Sequence, residues 1–313
     1  MDLPKPIPRQ GELLIRIRAT SVTAGDCELR ALRFGLGMRI LVRILMGLLR
    51  PKEKILGQEF AGDVEAVGAK VGRFNVGDSV YGTTGFGFGA YADYLCLREG
   101  ARDAAIALKP ASVTYEEAAT FPTGGMEALH LLRKAGSLRG LRVLVNGAGG
   151  GIGNLAVQLA KVDGAIVTGV ETSHKLGLVR QLGVDHVIDS VELNLANEPE
   201  LYDVIVDVVG RRPRPTFLRA LHPKGFYLLA NPSLFGVVRA AFASAISGKR
   251  VIARGSPPKA ADLDYLRGLI DAGRIRVVLA RCFTLEELVT AHRLVDSGLA
   301  IGRVAISVGP LPQ

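Results

Sequence analysis

The chain has 313 residues, of which 48% are hydrophobic, and it carries a formal net charge of +9 at pH 7. This length suffices for roughly two domains with separate cores, and no apolar run approaches the roughly 20 residues of a membrane-spanning helix. Cys27, Cys96 and Cys282 are far apart and form no CxxC pair, which argues against a structural zinc lobe and a disulfide framework. The proline-rich start lacks the apolar segment of a signal peptide, so we expect a cytoplasmic protein.

The excess of basic residues bears on the partners of the chain. A positive charge favours anionic ligands, including cofactors, nucleic acids and lipid headgroups. Because the sequence has no Trp and no RNA-binding or Cys/His motif, we expect an anionic cofactor and not nucleic acid.

Up to about residue 110 the sequence predicts strands separated by turns. Strands are predicted at residues 13–18, 60–67 and 78–81, where apolar residues lie between glycines. Glycines at 57, 62, 68, 72, 77 and 82 indicate the tight turns of a partly open β-barrel.

From about residue 115 the pattern changes to an α/β alternation. Helices are predicted at 115–120, 125–135 and 152–161, and strands at 143–145, 166–170, 187–188, 204–209 and 226–230. Because the strand runs are continuously apolar, they predict a parallel sheet covered on both faces. Residues 262–272 are predicted as the last helix of this domain. Thr284 is predicted to cap a further helix through Ser297, with Glu286 and Glu287 in its first turn, before a closing strand at 303–308.

A glycine-rich loop joins a predicted strand to a predicted helix at residues 147–153, within RVLVNGAGGGIGNLAVQLAK. In the pattern G/A-x-G-x-x-G the key positions are Ala148, Gly150 and Gly153. They predict a tight turn, close approach to a pyrophosphate, and helix-on-strand packing, respectively. The phosphates would meet backbone N–H groups at the helix start, including Gly151 and Ile152. The sequence therefore predicts a Rossmann dinucleotide site.

The end of the following strand predicts where the adenosine ribose binds. Glu171 is placed to accept hydrogen bonds from a 2′-hydroxyl, which favours NAD. Thr172, Ser173 and Lys175 are instead suited to a 2′-phosphate, and Glu171 has the further interpretation of an exposed carboxylate pointing to solvent. These alternatives remain open at this stage.

The chain as a whole resembles the medium-chain dehydrogenase/reductase superfamily, in its zinc-independent quinone oxidoreductase-like branch. The matching stretches, in family order, include GELLIRIRATSVTAGDCELR, ILGQEFAGDVEAVG, FNVGDSVYG, GAYADYLCL, ALKPASVTYEEAATFPTGGMEALHLL, the glycine loop, LGVDHVID and YDVIVDVVG. The resemblance implies a GroES-like β-barrel catalytic domain over residues 1–114, completed by residues 275–313. It places a Rossmann NAD(P)-binding domain at residues 115–274. The chain begins about one hairpin later than the family pattern does.

The resemblance also implies how the reacting end is built. Zinc-dependent relatives carry Cys and His at the positions of Thr23 and Gln58, and since neither residue is a usual zinc ligand, we expect no zinc. Both residues are expected to border the nicotinamide as catalytic candidates. Asp26 has two interpretations, a direct catalytic role or a helix-start residue that holds the loop.

Further residues complete the expected site. Phe86 and Tyr91 are candidates for substrate binding. Packing at the barrel rim is equally open for Phe86, and for Tyr91 a partly buried structural role is the more common case. Thr123 and Asn231 are expected near the cofactor, the latter beside the nicotinamide amide.

For the cofactor, Lys175 matches the family's 2′-phosphate lysine, whereas Ser190 replaces the tyrosine that assists it. We therefore expect NADP over NAD. Another departure is Glu28, which stands where the active-site segment often has tyrosine. The expected reaction is hydride transfer to a small apolar quinone or α,β-unsaturated carbonyl. The alternatives are a zinc-free alcohol dehydrogenase or carbonyl reductase, and a non-catalytic NAD(P)H-binding protein whose basic surface binds RNA or a membrane.

Residues 33–50, RFGLGMRILVRILMGLLR, form a basic apolar segment. It has three interpretations: a helix buried on one side, a lid over an apolar substrate, or a peripheral contact with an anionic membrane. A homodimer is the expected assembly.

Overall fold

A computed structural model describes residues 3–33, 35, 39–40, 42–44, 55–195, 200–210, 213–253, 255 and 257–309, and for Leu234 the backbone alone. Contacts between Cα atoms divide the chain into two compact units. The first unit comprises the residues up to Thr123 and those from Pro257 onward, and the second comprises the residues between them.

Strands and helices follow one another along both units. The strands are β1 (Glu12–Val22), β2 (Glu59–Val67), β3 (Ser79–Thr83), β4 (Tyr94–Arg98), β5 (Ala105–Leu108), β6 (Arg142–Asn146), β7 (Ile166–Glu171), β8 (His186–Asp189), β9 (Tyr202–Asp207), β10 (Leu221–Leu229), β11 (Arg250–Ile252), β12 (Leu279–Thr284) and β13 (Arg303–Ser307). The helices are α1 (Ala24–Arg30), α2 (Tyr115–Ala118), α3 (Pro122–Arg133), α4 (Gly151–Val162), α5 (Leu176–Gln181), α6 (Pro215–Ala220), α7 (Leu234–Ser247), α8 (Ala260–Asp271) and α9 (Leu288–Asp296). Residues 39, 40 and 42–44 are also helical.

The first unit is built on a mainly antiparallel sheet with the order β12-β13-β1-β2-β3-β5. The long strand β1 pairs with β2 along one edge, and along the other it pairs first with β4 and then with β13. Alternate residues of β1, among them Leu13, Ile15 and Ile17, are fully or almost fully buried in the core of this unit. This is the alternation expected of an antiparallel sheet with one covered face.

The second unit has a parallel sheet with the order β11-β10-β9-β6-β7-β8. This is the doubly wound Rossmann order, in which β7 and β8 are added on one side of β6 and β9 to β11 on the other. The strand order therefore reverses between β6 and β9. The central strands are buried along their length, as residues 143–145 and 204–206 are without exposed surface. The predicted parallel sheet is therefore confirmed.

Three expectations differ from the structure. The unit boundaries shift, because residues 115–123 and 257–274 group with the first unit; the Tyr81 hydroxyl, for example, donates to the Leu263 carbonyl at 2.7 Å. Thr284 does not cap a helix: α9 begins at Leu288 after an N-cap at Glu287, and Thr284 ends β12. Helices α6 and α7 and strands β4, β5, β11 and β12 were not predicted as elements.

Most of the basic apolar segment at 33–50 lies outside the described residues. In its described part, Ile40 and Ile44 are about half exposed, and Arg39 and Arg43 are exposed. Across the described portion of the chain, no helix has both the length and the apolar character needed to cross a membrane.

Candidate functional site

The glycine loop makes a sharp connection between β6 and α4 at the carboxyl edge of the parallel sheet. Gly147 has a φ of +87°, in the left-handed region that favours glycine. Its N–H and that of Ala148 both donate to the Val170 carbonyl on β7, at 2.9 and 3.1 Å. Helix α4 then begins at Gly151, with Gly150 as its N-cap. The turn expected at Ala148 is thus made one residue earlier.

Two glycines of the loop differ in the space around them. A Cβ atom on Gly153 would lie 2.0 Å from the Gly147 carbonyl oxygen, so helix and loop pack too closely for any side chain. A Cβ atom on Gly150 would contact the same oxygen only at 3.3 Å. Gly150 also has extended backbone angles that any residue adopts. Gly153 therefore serves packing, and Gly150 leaves the helix start open to a phosphate.

Glu171, at the end of β7, holds the glycine loop from the side of the adenosine ribose. Its carboxylate accepts hydrogen bonds from the N–H of Gly149 at 2.9 Å and from the N–H of Thr172 at 2.9 Å. The residue is only 9% exposed, so the interpretation as a solvent-facing carboxylate is wrong. The Thr172 hydroxyl is a third donor to this carboxylate. Three occupied acceptor positions of about four still leave one for a ribose hydroxyl.

The polar residues after Glu171 form a small mixed-charge surface. The Ser173 hydroxyl donates to the carboxylate of Asp189 at the end of β8, a partner that was not predicted. Thr172 is exposed and its hydroxyl donates to Glu171 at 3.2 Å. Lys175 is half-buried, and a Cβ atom on Gly149 would lie 3.3 Å from the Lys175 Cβ. The loop, the acid and the lysine are therefore neighbours.

A hydrogen bond joins the loops that follow β9 and β10, on the side of the glycine loop opposite to β7. The exposed Asn231 donates from Nδ2 to the Val208 carbonyl at 3.0 Å. Beneath it, the fully buried Asp207 accepts from Asn146 Nδ2 at 2.7 Å and from the Gly210 N–H at 2.8 Å. Asn231 thus lies at the carboxyl edge of the sheet, and its place beside the nicotinamide stays a prediction.

In the first unit, Thr23 and Asp26 form a capping box at the start of α1. The Thr23 hydroxyl accepts from the Asp26 N–H at 3.1 Å and donates to the Asp26 carboxylate at 2.6 Å. That carboxylate also accepts from the Thr23 N–H at 2.9 Å. Burial raises the pKa of Asp26 to about 6 and nearby Glu59 adds to the rise, whereas the hydrogen bonds from Thr23 and the charge of Arg303 oppose it. Asp26 therefore holds the start of the helix.

Gln58 and Phe86 lie around the turn that follows β3. The half-buried Gln58 donates from its side-chain Nε2 to the Gly85 carbonyl at 3.0 Å. The backbone carbonyl of Gln58 accepts from the Thr84 N–H at 2.7 Å. Phe86 is 77% exposed, whereas Phe88 is buried and meets it edge to face. The described hydrogen bonds do not link Gln58 to Thr23.

Tyr91 belongs to a buried cluster that the sequence did not indicate. Its hydroxyl donates to the Ser21 carbonyl at 3.2 Å, and its ring meets His292 edge to face. The Nδ1 of His292 lies 3.4 Å from the Cys27 sulfur. Burial raises the pKa of Cys27 to about 12, so this thiol stays protonated and unreactive at neutral pH.

Glu59, next to Gln58, is the centre of the polar network in this unit and was missed as a site residue. It is without exposed surface and accepts from Arg303 Nη2 at 2.8 Å, from the Ser21 hydroxyl and from the Thr123 N–H at 2.8 Å. Thr123 itself is exposed. Glu59 stands directly before the apolar residues Phe60 and Ala61 of the predicted strand. This was the available signal, because a buried carboxylate requires a partner.

Comparison with known proteins decides the family. The family model described as an alcohol dehydrogenase GroES-like domain matches residues 9–109, and that of a zinc-binding dehydrogenase matches residues 182–306. A quinone oxidoreductase of Pseudomonas aeruginosa is 32% identical over 289 residues, covering 86% of this chain and 87% of the relative. The chain belongs to the medium-chain dehydrogenase/reductase superfamily.

Two further comparisons support its place in the quinone oxidoreductase-like branch of this superfamily. The mitochondrial NAD(P)H oxidoreductase RTN4IP1 of Mus musculus is 29% identical over 95% of this chain and 82% of the relative. A solved structure of the quinone oxidoreductase from Coxiella burnetii superposes with a TM-score of 0.83 at 28% identity, covering 99% of this chain and 94% of that one. The predicted pairing of a GroES-like domain with a Rossmann domain is confirmed, and the chain is an NAD(P)H oxidoreductase.

Both residues that the resemblance places at the zinc-ligand positions, Thr23 and Gln58, have side chains that are hydrogen-bonded within the protein. The Thr23 hydroxyl is bonded to Asp26 and the Gln58 amide to Gly85, and neither group is a usual zinc ligand. In the part of the chain that the structure describes, no group of three or more His, Cys, Asp or Glu side chains is arranged to hold a metal ion.

Proposed function

We propose that the chain reduces a quinone or an α,β-unsaturated carbonyl with NADPH and without a catalytic metal. The observation that carries the proposal is the loop at residues 147–153, where Gly150 leaves the start of α4 open and Gly153 packs against the Gly147 carbonyl. Bound NAD(P)H supplies a hydride to an electron-poor carbon. The similarity to proteins named quinone oxidoreductases supports a quinone as acceptor. The similarity to a 2-methylene-furan-3-one reductase of Solanum lycopersicum supports an enone.

The chain's own residues divide the work of binding and charge stabilisation. The backbone N–H groups at the start of α4 would bind the pyrophosphate, assisted by the helix dipole. Reduction places negative charge on the carbonyl oxygen of the substrate, which a neutral hydrogen-bond donor can stabilise. Gln58 is the proposed donor, because its amide carries two N–H groups and donates one of them to Gly85. Asp26 is a positioning residue that acts through Thr23.

The proposed preference for NADPH rests on Lys175. Its Cβ lies beside Gly149 of the glycine loop, and its ammonium would attract a 2′-phosphate. Glu171 opposes this attraction, although its carboxylate is engaged by the Gly149 and Thr172 N–H groups. Asp189, which accepts from Ser173, adds a second nearby carboxylate. We therefore propose a modest preference for NADPH over NADH. The charge of Lys175 attracts the 2′-phosphate, and the carboxylates of Glu171 and Asp189 weaken this attraction.

Oxidation of NADPH and NADH with menadione, methyl vinyl ketone and a set of simple ketones tests the function directly. We expect turnover with the first two acceptors, higher with NADPH, and unchanged after dialysis against EDTA. Stoichiometric zinc lost together with activity would contradict metal independence. Reduction of simple ketones alone would indicate a carbonyl reductase, and NADPH binding with no turnover on any acceptor would indicate a binding protein.

A further inference from the structure

A cavity of about 540 Å³ opens in the second unit at the carboxyl ends of β9 and β10. It is lined by residues after β9, by Ser233 after β10 and by one residue of α7: Val209, Gly210, Pro213, Arg214, Pro215, Ser233 and Arg239. None of these residues was a predicted site residue. Small-molecule sites of the doubly wound fold occur at this edge of the sheet.

The lining of this cavity is positively charged. Among its described residues there are two guanidinium groups and no carboxylate. Arg239 is exposed on α7 and forms no ion pair with any residue of the described ranges. Arg214 lies near the buried Asp207, with 3.9 Å between its Nε and Oδ2, and its side chain is 43% exposed. A planar guanidinium has five N–H donors, so both arginines can bind a further anion.

The position of the cavity in the sheet order indicates which part of a bound ligand it meets. The glycine loop follows β6, and the ribose-binding candidates Glu171 and Lys175 follow β7. Strands β9 and β10 lie on the opposite side of β6. Asn231, expected beside the nicotinamide, also follows β10. The cavity is therefore on the reacting side of the glycine loop and not on the adenosine side.

We propose that this cavity binds an anionic group, a carboxylate or a phosphate, carried by the quinone or enone substrate, and that Arg239 and Arg214 determine this specificity. The inference rests on the proposed reductase function and narrows its substrate class. Val209 and the prolines 213 and 215 would contact the apolar body of the substrate. A phosphate of the cofactor is the other source of the same chemistry, and the experiment must separate the two.

Two enones that differ in charge test the proposal, namely 4-oxopent-2-enoate and its methyl ester. We compare the ratio of their kcat/KM values between wild type and variants, because this ratio cancels their different intrinsic reactivity. Arg239→Ala is expected to lower kcat/KM for the carboxylate about tenfold and to leave the ester within about twofold, as for loss of one charge-assisted hydrogen bond. The Kd of NADPH should stay unchanged. Arg239→Lys should retain part of the preference.

Arg139→Ala is the matched control. It removes the same charge from an exposed residue shortly before β6, at the amino end of the sheet. It should change neither the ratio of the kcat/KM values for the two enones nor the Kd of NADPH. Arg214→Ala is less suited as the first variant, because it also removes the cation beside the buried Asp207.

A binding measurement independent of turnover completes the test. Calorimetric titration of saturated 4-oxopentanoate into the protein with bound NADP⁺ should give binding in wild type and none in Arg239→Ala. An equal decrease in kcat/KM for both enones in Arg239→Ala would overturn the substrate assignment. A higher Kd of NADPH in this variant would overturn it in favour of a cofactor phosphate. Reduction of both enones with an unchanged ratio would reject this inference alone. Reduction of neither enone nor menadione by wild type would reject the proposed function as well.

Discussion

Arg303→Met should destabilise the first unit severely, because it leaves the carboxylate of Glu59 buried without a cation. Arg303 Nη2 lies 2.8 Å from Glu59 Oε2, and the two side chains are 14% and 0% exposed. After the substitution, the donors that remain to the Glu59 carboxylate among the described residues are neutral, namely the Ser21 hydroxyl and the Thr123 N–H. Removing one partner of a buried ion pair lowers the free energy of unfolding strongly, because the remaining charge is neither hydrated nor paired.

The magnitude follows from the geometry. At the separation of 2.8 Å, Coulomb's law with an effective dielectric constant of about 20 gives an attraction of about 6 kcal/mol. Desolvation of the arginine offsets part of this attraction, so we expect a loss of about 3–5 kcal/mol in the free energy of unfolding. For a unit of this size the loss corresponds to a decrease in Tm on the order of 10 °C.

Differential scanning calorimetry of a double-mutant cycle measures this loss. Glu59→Gln removes the charge while retaining an oxygen acceptor for Thr123. The double variant should therefore be more stable than Arg303→Met alone. Arg281→Met is the control on the neighbouring strand β12, where the arginine is exposed, and it should cost less than about 1 kcal/mol. A decrease in Tm for Arg303→Met no larger than that for Arg281→Met would contradict the expected loss. Strictly additive effects of Arg303→Met and Glu59→Gln would contradict it as well.

Three further predictions concern the second unit. Gly150→Val should weaken NADPH binding more than about tenfold with little change in Tm, as measured by fluorescence titration and thermal melting, because its backbone is extended and only the Gly147 oxygen is near. Lys175→Ala should raise the Kd of NADPH by roughly one to two powers of ten and that of NADH much less. The control Lys134→Ala should alter neither Kd. If Lys175→Ala leaves the ratio of the two Kd values unchanged and the wild type prefers NADH, the enzyme is NAD-dependent. Burial raises the pKa of Glu127 from 4.5 to about 7, so its ionisation costs stability as pH rises through that range. Glu127→Gln should therefore raise Tm at about pH 8 and have no effect near pH 4.5, and a constant difference across pH would contradict this assignment.

The parallel sheet was predictable from the sequence because its signals are local. Strands such as β6 and β9 are continuous apolar runs, and the loop at 147–153 follows one of them directly. Helix α7 was missed because its pattern is inverted. Its large side chains Phe235 and Phe242 are 80% and 69% exposed, whereas the small residue Ala240 packs inward. An apolar face directed to solvent gives no amphipathic signal of the ordinary kind.

The grouping of helix α8 differs from the expected domain boundary because it depends on contacts between distant residues. Helix α8 has the composition of a Rossmann helix, and its position in the chain assigned it to that domain. In the structure its Leu263 carbonyl accepts from Tyr81, and Asp264 pairs with Arg73, both far away in the sequence. The ion pair of Glu59 and Arg303 was unpredictable for the same reason, since the partners are 244 positions apart.

The geometry of the capping box also decides which candidate at the reacting end retains a free donor. A threonine hydroxyl has a single hydrogen, and Thr23 donates its own to Asp26 while accepting from the Asp26 N–H. Donation by Thr23 to a substrate oxygen would therefore break a hydrogen bond to a buried carboxylate whose pKa is already raised to about 6. The Gln58 amide has two N–H groups and gives one to Gly85, so it can use the other without such a loss. Of the two residues that the family resemblance places at the zinc-ligand positions, we therefore propose Gln58 as the one that contacts the substrate. Thr23 fixes the start of the helix.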